Sequence, residues 1–198
     1  MLKKFRMALV FSLAVMMMCF MSVPAFAGSS GKAVKVRVSI TSLNRSEQMT
    51  VTGLNRSKKA VWKYTTKKYP HAQIDRTLCK VRGNKVYIFD GSKLRIVKKS
   101  TGKKIGTIKD ITMGGHVVGF DKKGNLYVTG FLNTVLYKIS PKGRLLWKTD
   151  YYSTGKYWAY KIIASSTSVT VVCDASDSNP GESGNYKVVF SAASGKIR

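Results

Sequence analysis

Alternation of apolar and polar residues dominates the chain from residue 28 onward. No long segment there shows the apolar period of about 3.6 residues that marks an amphipathic helix. In residues 34–41, valine or isoleucine alternates with a basic or hydroxylated residue, and similar short runs follow at 49–54, 85–89, 94–97, 116–120, 125–131, 135–139, 168–173 and 186–190. Gly, Asn, Asp, Ser and Pro separate the runs. This pattern predicts an all-β sandwich, barrel or propeller.

An internal repeat favours the propeller. A strand, a polar turn, a glycine-plus-basic step and a second apolar strand recur at residues 51–62, 94–107, 135–147 and 188–198. Lys58, Gly102, Gly143 and Gly195 align, and the longest interval between them contains an extra loop at 174–184. A repeat of about 40 residues with several strands is the size of one propeller blade. The sequence therefore predicts about four antiparallel blades, each of which needs a neighbour to cover its apolar face.

Two motifs carry a resemblance to known propeller families. The segments GRLLWK at 143–148 and KKAVWK at 58–63 resemble the GKxxW step of PQQ-like repeats, from the quinoprotein-dehydrogenase-like superfamily. The segment DKKGNLYVTG at 121–130 resembles the repeat core of SBBP and NHL propellers. The resemblance covers about residues 48–198. The second copy departs from it, because Gly106 stands where the motif has Trp.

The number of repeats predicts an incomplete ring. Closed propellers have about 4 to 8 blades, and this chain has room for three nearly complete blades and a partial first one. A truncated ring, a ring completed by a protein partner or second protomer, and a compact variant with covered ends are the alternatives. A β-sandwich with fortuitous repeats is the alternative fold.

The first 27 residues predict a secretory signal peptide. Lys3, Lys4 and Arg6 precede a mostly apolar stretch at 7–23, and Ala25-Phe26-Ala27 is a small-x-small cleavage site. We expect cleavage after Ala27, a mature domain at 28–198, a secreted or envelope-associated protein, and no stable membrane span after processing.

The charge indicates anionic partners. The chain has 35 Lys and Arg against 9 Asp and Glu, a formal net charge of +26, and loss of the three basic leader residues would leave +23. Such a surface attracts polyanions. Anionic envelope polymers, such as wall phosphate polymers or acidic polysaccharides, suit an exported protein. Nucleic acid would bind only through non-specific, salt-sensitive attraction.

The candidate binding residues are aromatic and basic side chains that lie close together in the sequence. Rings beside cations suit sugar polymers or nucleic acid. The stretch 151–158 combines them with Ser, Thr and Gly, so we expect it to be an exposed loop. The predicted binding residues are Tyr151, Tyr152, Tyr157, Trp158, Lys67, Lys68, Lys122 and Lys123. We expect Trp62 and Trp147 to be core residues.

The sequence is poor in catalytic groups. It contains no G-x-S-x-G elbow, H-E-x-x-H helix or P-loop, and Asp90 and Asp121 have the setting of turn residues. Asp174, Asp177 and Glu182 share a loop whose oxygens suit Ca²⁺; a solvated loop is the alternative. Cys79 and Cys173 lie in separate strand-like runs, which favours two buried thiols over a disulfide.

These observations predict a non-enzymatic secreted propeller module that binds anionic envelope polymers. The alternative is a fragment or relative of a PQQ-dependent quinoprotein oxidoreductase. The family resemblance implies that such an enzyme needs a complete ring, a Ca²⁺ site and long inserts. The chain has neither that length nor those inserts, so PQQ is not expected as a cofactor.

Overall fold

The chain folds into β-strands over almost all of the residues that the structure describes. The computed structural model describes residues 31–70, 78–109, 111, 117–129, 134–155, 159–174 and 184–198. These ranges contain no α-helix, and a short 3-10 turn occurs at Tyr152–Thr154. No helix long and apolar enough to cross a membrane occurs in the described ranges. The prediction of an all-β protein is confirmed.

The strands form four antiparallel sheets that follow one another along the chain. Sheet 1 contains β1 (Lys35–Leu43), β2 (Ser46–Leu54) and β3 (Ala60–Thr65), with β4 (Tyr69–Pro70) paired to the start of β2. Sheet 2 contains β5 (Cys79–Arg82), β6 (Lys85–Asp90), β7 (Lys93–Lys98) and β8 (Lys104–Lys109). Sheet 3 contains β9 (Val117–Phe120), β10 (Leu126–Thr129), β11 (Val135–Ile139) and β12 (Leu145–Asp150). Sheet 4 contains β13 (Ala159–Ala164), β14 (Ser168–Asp174) and β15 (Asn185–Ser191), and Ile197 forms a bridge to Phe190.

Neighbouring sheets pack face to face through apolar side chains, and the inner strands β6 and β10 of the two middle sheets are buried on both faces. A first core lies among sheets 1, 2 and 3 and includes Met49, Ile88 and Leu126. A second core lies between sheets 3 and 4 and includes Leu136 and Phe190. Sequential four-stranded meanders that pack face to face form a partial β-propeller, with a first and a last sheet less complete than the two between them.

The aligned repeat positions occupy the same place in all four sheets. Lys58, Gly102, Gly143 and Gly195 each lie in the last turn of a sheet, with φ of 59°, 69°, 73° and 75°. This left-handed region suits glycine and strains other residues. The repeat therefore reflects a turn geometry that every sheet needs.

A second repeated contact joins neighbouring sheets. Four residues after the turn position, Trp62 packs on Gly102 of the next sheet, where an added methyl group would lie 2.6 Å from Trp62 Cγ. Trp147 packs on Gly195 in the same way, at 2.8 Å. Gly106 takes this place in sheet 2, and there the backbone itself meets Gly143. Where the first and third repeats have a tryptophan, the backbones of sheets 2 and 3 therefore pack directly against each other.

The buried side chains agree with most of the expectations for the core. Trp62 is buried, and its Nε1–H donates to Lys99 O at 2.6 Å, while Trp147 is half-buried against the second core. Cys79 lies in sheet 2 and Cys173 in sheet 4, and neither is in a disulfide. Cys173 is buried and Cys79 half-buried, and burial raises the pKa of the Cys79 thiol to about 12.

Candidate anion-binding surface

Seven of the described turns lie at the same end of the array of sheets. In an antiparallel meander the first and third turns lie at the same end of the sheet. In sheet 2, Lys99 N–H donates to Asn84 O at 2.8 Å, and in sheet 4, Ala192 N–H donates to Thr167 O at 2.9 Å. We call this end the turn end. Its segments are residues 55–59, 82–85, 98–104, 121–125, 140–144, 165–167 and 192–198.

The turn end carries a strongly one-sided charge. Its basic residues are Arg56, Lys58, Lys59, Arg82, Lys85, Lys98, Lys99, Lys103, Lys104, Lys122, Lys123, Lys142, Arg144, Lys196 and Arg198, and its one acidic residue is Asp121. The other acidic residues that the structure describes, Glu47, Asp90, Asp150 and Asp174, lie at the opposite end. Among the described residues, the turn end is therefore almost purely basic, whereas the opposite end carries both acidic and basic side chains.

Asp121 does not offset this charge at the surface. It is buried, and its carboxylate accepts hydrogen bonds from Asn125 N–H at 2.9 Å, Asn125 Nδ2 at 2.7 Å and the Tyr127 hydroxyl at 3.2 Å. Burial alone would raise its pKa, but these hydrogen bonds and the nearby charge of Lys138 outweigh burial and lower the pKa. Asp121 fixes the turn that holds Lys122 and Lys123, as its sequence setting predicts.

One basic residue recurs at the same position of all four last turns. Lys59, Lys103, Arg144 and Lys196 each follow the left-handed residue directly, and all four are exposed. Their carbonyl groups accept equivalent backbone hydrogen bonds, from Asn55, Lys98, Ser140 and Ser191, at 2.8 to 3.0 Å. The shared backbone geometry sets one exposed cation per sheet along the turn end. We call these four residues the repeat cations.

A cleft opens at the turn end between sheets 2 and 3. Its volume is about 400 Å³, and its lining includes Arg82, Lys85, Lys98 and Tyr87. The Arg82 guanidinium lies 4.4 Å from the Phe120 ring centroid and donates through Nη2 to Asp121 O at 2.9 Å. Its other terminal nitrogen, Nη1, is buried without a hydrogen-bond partner among the described residues. The cleft is thus cationic and free of carboxylates.

The lysines singled out from the sequence lie at opposite ends. Lys122 and Lys123 are exposed at the turn end, whereas Lys67 and Lys68 are exposed at the other end, between β3 and β4. They do not form one surface. Sequence analysis did not select the repeat cations, although the glycine-plus-basic step of each repeat contains them. Their alignment on one end becomes visible once the strands are paired.

The expected exposure of Tyr151 is wrong. Tyr151 is 1% exposed and packs edge-on against Phe190 in the second core, with ring centroids 5.7 Å apart. Its hydroxyl and the Thr129 hydroxyl are hydrogen-bonded at 3.1 Å. Tyr152 is 65% exposed, as expected, because consecutive side chains point to opposite sides as the chain leaves β12. Tyr157 and Trp158 lie outside the described residues.

The candidate calcium ligands are described only in part. Asp174 is exposed at the end of β14, and Asp177 and Glu182 lie outside the described residues. Within the part of the chain that is described, no three His, Cys, Asp or Glu residues gather as a metal site would require. The calcium site stays a prediction.

Comparison with known proteins identifies similar chain traces. No family model matches the sequence, and no curated protein is found as a relative. BamB from Moraxella catarrhalis is 14% identical with a TM-score of 0.44, over 81% of this chain and 62% of that chain. A streptogramin B lyase is 11% identical with a TM-score of 0.45, over 90% and 55%. A quinohemoprotein alcohol dehydrogenase from Pseudomonas putida HK5 is 13% identical with a TM-score of 0.42, over 85% and 34%.

These solved structures are β-propellers, and the chain spans less than two thirds of the length of each. They include an enzyme, the alcohol dehydrogenase, as well as BamB. The propeller-like fold follows here from the chain's own four consecutive sheets.

Proposed function

We propose that the protein is a secreted, non-enzymatic binding module that holds anionic cell-envelope polymers on its turn end. The observation that carries this proposal is the set of repeat cations: one exposed basic residue at the same backbone position of each sheet. A compact anion touches one such position. A linear polymer with regularly spaced charges can contact several at once, and linked contacts strengthen binding through effective concentration.

The surrounding charge supports the same ligand class. The turn end has no exposed acidic residue among its described turns, so a polyanion meets no repulsion there. Long-range attraction raises the association rate, and the release of counterions makes the affinity depend on salt. Wall phosphate polymers and acidic polysaccharides have this repetitive negative charge. The signal-peptide pattern of residues 1–27 would bring the protein to them.

The test compares two variants with equal net charge. The first replaces the repeat cations: Lys59→Gln, Lys103→Gln, Arg144→Gln and Lys196→Gln. The matched control replaces four exposed lysines on strands: Lys63→Gln, Lys148→Gln, Lys161→Gln and Lys187→Gln. Binding to long-chain polyphosphate and to purified cell walls is measured at several salt concentrations. Walls stripped of anionic polymers serve as the second control.

The repeat-cation variant should lose most of the salt dependence. Each cation in contact with a flexible polyanion contributes a slope of about 0.7 in log affinity against log salt, so loss of four contacts lowers the slope by about 3. The control variant should keep most of the salt dependence of binding. Equal losses in both variants would show that net charge alone attracts the polymer and would overturn the proposal, as would undiminished binding to stripped walls. A quinone absorption band in the purified protein would support the oxidoreductase alternative instead.

A further inference from the structure

A second polar cavity lies at the end opposite the turn end, between sheets 1 and 2. Its volume is about 570 Å³, within the range of small-molecule sites. The side chains that give it its chemistry are Tyr64, Tyr69, Lys67, Asp90, Lys93 and Arg95. None of them belongs to the turn end, and the proposed polymer surface does not use them.

The one carboxylate among the described residues that line the cavity accepts hydrogen bonds from neutral donors. Asp90 accepts hydrogen bonds from the Tyr64 hydroxyl at 2.5 Å, the Tyr69 hydroxyl at 2.6 Å and the Lys67 backbone N–H at 3.2 Å. Burial and the neighbouring Asp90 raise the pKa of Tyr64 to about 12, so this phenol stays a proton donor at neutral pH. Gly91 permits the arrangement, because an added methyl group would lie 2.7 Å from the Tyr69 hydroxyl oxygen.

The cations of the cavity are left without a carboxylate partner in the described structure. The Arg95 guanidinium lies 4.7 Å from the Tyr64 ring centroid, and its Nε is buried with no hydrogen-bond partner there. Lys67 and Lys93 are exposed at the rim. Among the described lining residues, three cations and one carboxylate leave the cavity two positive charges in excess.

We propose that this cavity binds a small sugar-like molecule that carries a phosphomonoester. A phosphomonoester has a charge of about −1.5 to −2 at neutral pH, which matches the excess. Arginine and lysine are the side chains that recognise phosphate, arginine through a planar fork and lysine as a point charge. The remaining acceptor capacity of Asp90 and the hydroxyl of Ser92 suit the hydroxyl groups of the ligand. The cavity has room for more than phosphate alone.

Calorimetric titration with glucose 6-phosphate, glucose and inorganic phosphate tests this site. We expect glucose 6-phosphate to bind at least about 10-fold more tightly than either fragment, since it alone offers both the charge and the hydroxyls. Equal binding of inorganic phosphate would overturn the sugar-like ligand. Absence of saturable binding by all three would overturn the site.

Matched variants separate this site from the polymer surface. Lys67→Gln with Lys93→Gln should weaken glucose 6-phosphate at least 10-fold, while Lys103→Gln with Lys196→Gln, which removes the same charge from the turn end, should leave it nearly unchanged. Arg95→Lys keeps the charge but loses the fork, and should weaken binding without changing the circular-dichroism spectrum. If both double variants weakened glucose 6-phosphate binding equally, the loss of net charge alone would explain the effect, and the proposal would be overturned. Polyphosphate binding should be weakened by Lys103→Gln with Lys196→Gln and nearly unchanged by Lys67→Gln with Lys93→Gln. Either proposal can therefore fail while the other holds.

Discussion

The contact between neighbouring sheets yields the sharpest test of the fold. Gly102 combines two constraints: its φ of 69° lies in the left-handed region, and Trp62 of sheet 1 packs directly on its Cα. Gly102→Ala should therefore suffer both backbone strain and steric overlap. Two other glycines of sheet 2 separate these effects. Gly83 has a φ of 53° with nothing within 4 Å of an added methyl group, and Gly106 has no positive φ but would meet Gly143 O at 2.9 Å.

The magnitudes follow from these environments. Left-handed strain costs an alanine about 1–2 kcal/mol, and alanine recovers about 0.4–1 kcal/mol by reducing the entropy of the unfolded chain. Gly83→Ala should therefore destabilise by about 1 kcal/mol or less. Overlap with packed atoms costs about 1–3 kcal/mol, which is the main cost for Gly106→Ala because the opposing backbone cannot rotate away. Gly102→Ala has both the backbone strain and the steric overlap, so its free energy of unfolding should fall by about 2–4 kcal/mol.

Urea unfolding of the three variants, followed by circular dichroism, measures these differences through the midpoint at constant m-value. The order of destabilisation should be Gly102→Ala greatest and Gly83→Ala least. If Gly102→Ala were no more harmful than Gly83→Ala, Trp62 would not pack between sheets 1 and 2. A neutral Gly106→Ala would show that sheets 2 and 3 do not approach as closely as the structure has them.

The turn positions and ionisable groups give further expectations. Lys58→Gly relieves left-handed strain and should stabilise the protein by up to about 1 kcal/mol in the same urea assay. Because the pKa of Asp121 is lowered by folding, it stabilises the protein above pH of about 4 and ceases to do so as pH falls through the lowered value; the gap in urea midpoint between wild type and Asp121→Asn should shrink from pH 7 to pH 3. The pKa values of Tyr64 and Tyr151 are raised to about 12, so stability should fall between pH 10 and about 12 while phenolate absorbance rises. Intact-mass measurement of the secreted protein should show cleavage after Ala27.

The strands and turns within each sheet could be predicted from the sequence, because they depend on residues that lie close together along the chain. The aligned residues Lys58, Gly102, Gly143 and Gly195 mark a turn whose backbone demands a left-handed residue, and this demand leaves a trace in every repeat. Alternation identified the strands with a buried face. It did not identify β13 as a separate run, because exposed apolar residues such as Tyr160 and Ile163 blur its pattern.

Contacts between sheets could not be predicted in the same way. Tyr151 was expected at the surface because its neighbours in sequence are polar, yet its ring is covered by Phe190, which lies 39 residues further along the chain. Likewise, Tyr64, Tyr69 and Asp90 meet because sheets 1 and 2 pack together. The strong net charge was evident from composition, but the separation of the turn-end cations from the exposed acidic residues depends on which turns share that end. Composition fixes the amount of charge, and topology fixes where it is presented.

No other sheet covers the outer face of sheet 1 in the part of the chain that the structure describes. Most residues on this face are polar, with Leu54 among them at the end of β2, while the opposite face carries the apolar residues of the first core. The polar residues are Arg37, Ser39, Thr41, Thr50, Thr52, Lys63 and Thr65. A blade inside a closed ring buries both faces and gains from apolar residues on each. A polar outer face is instead what terminal repeats of stacked arrays need for solubility. An apolar sheet from a second protomer would gain little hydrophobic stabilisation here, because it would have to desolvate Arg37 and Lys63 without offering them a partner. The polarity of sheet 1 therefore favours a compact array with a solvated end over a ring completed at this face.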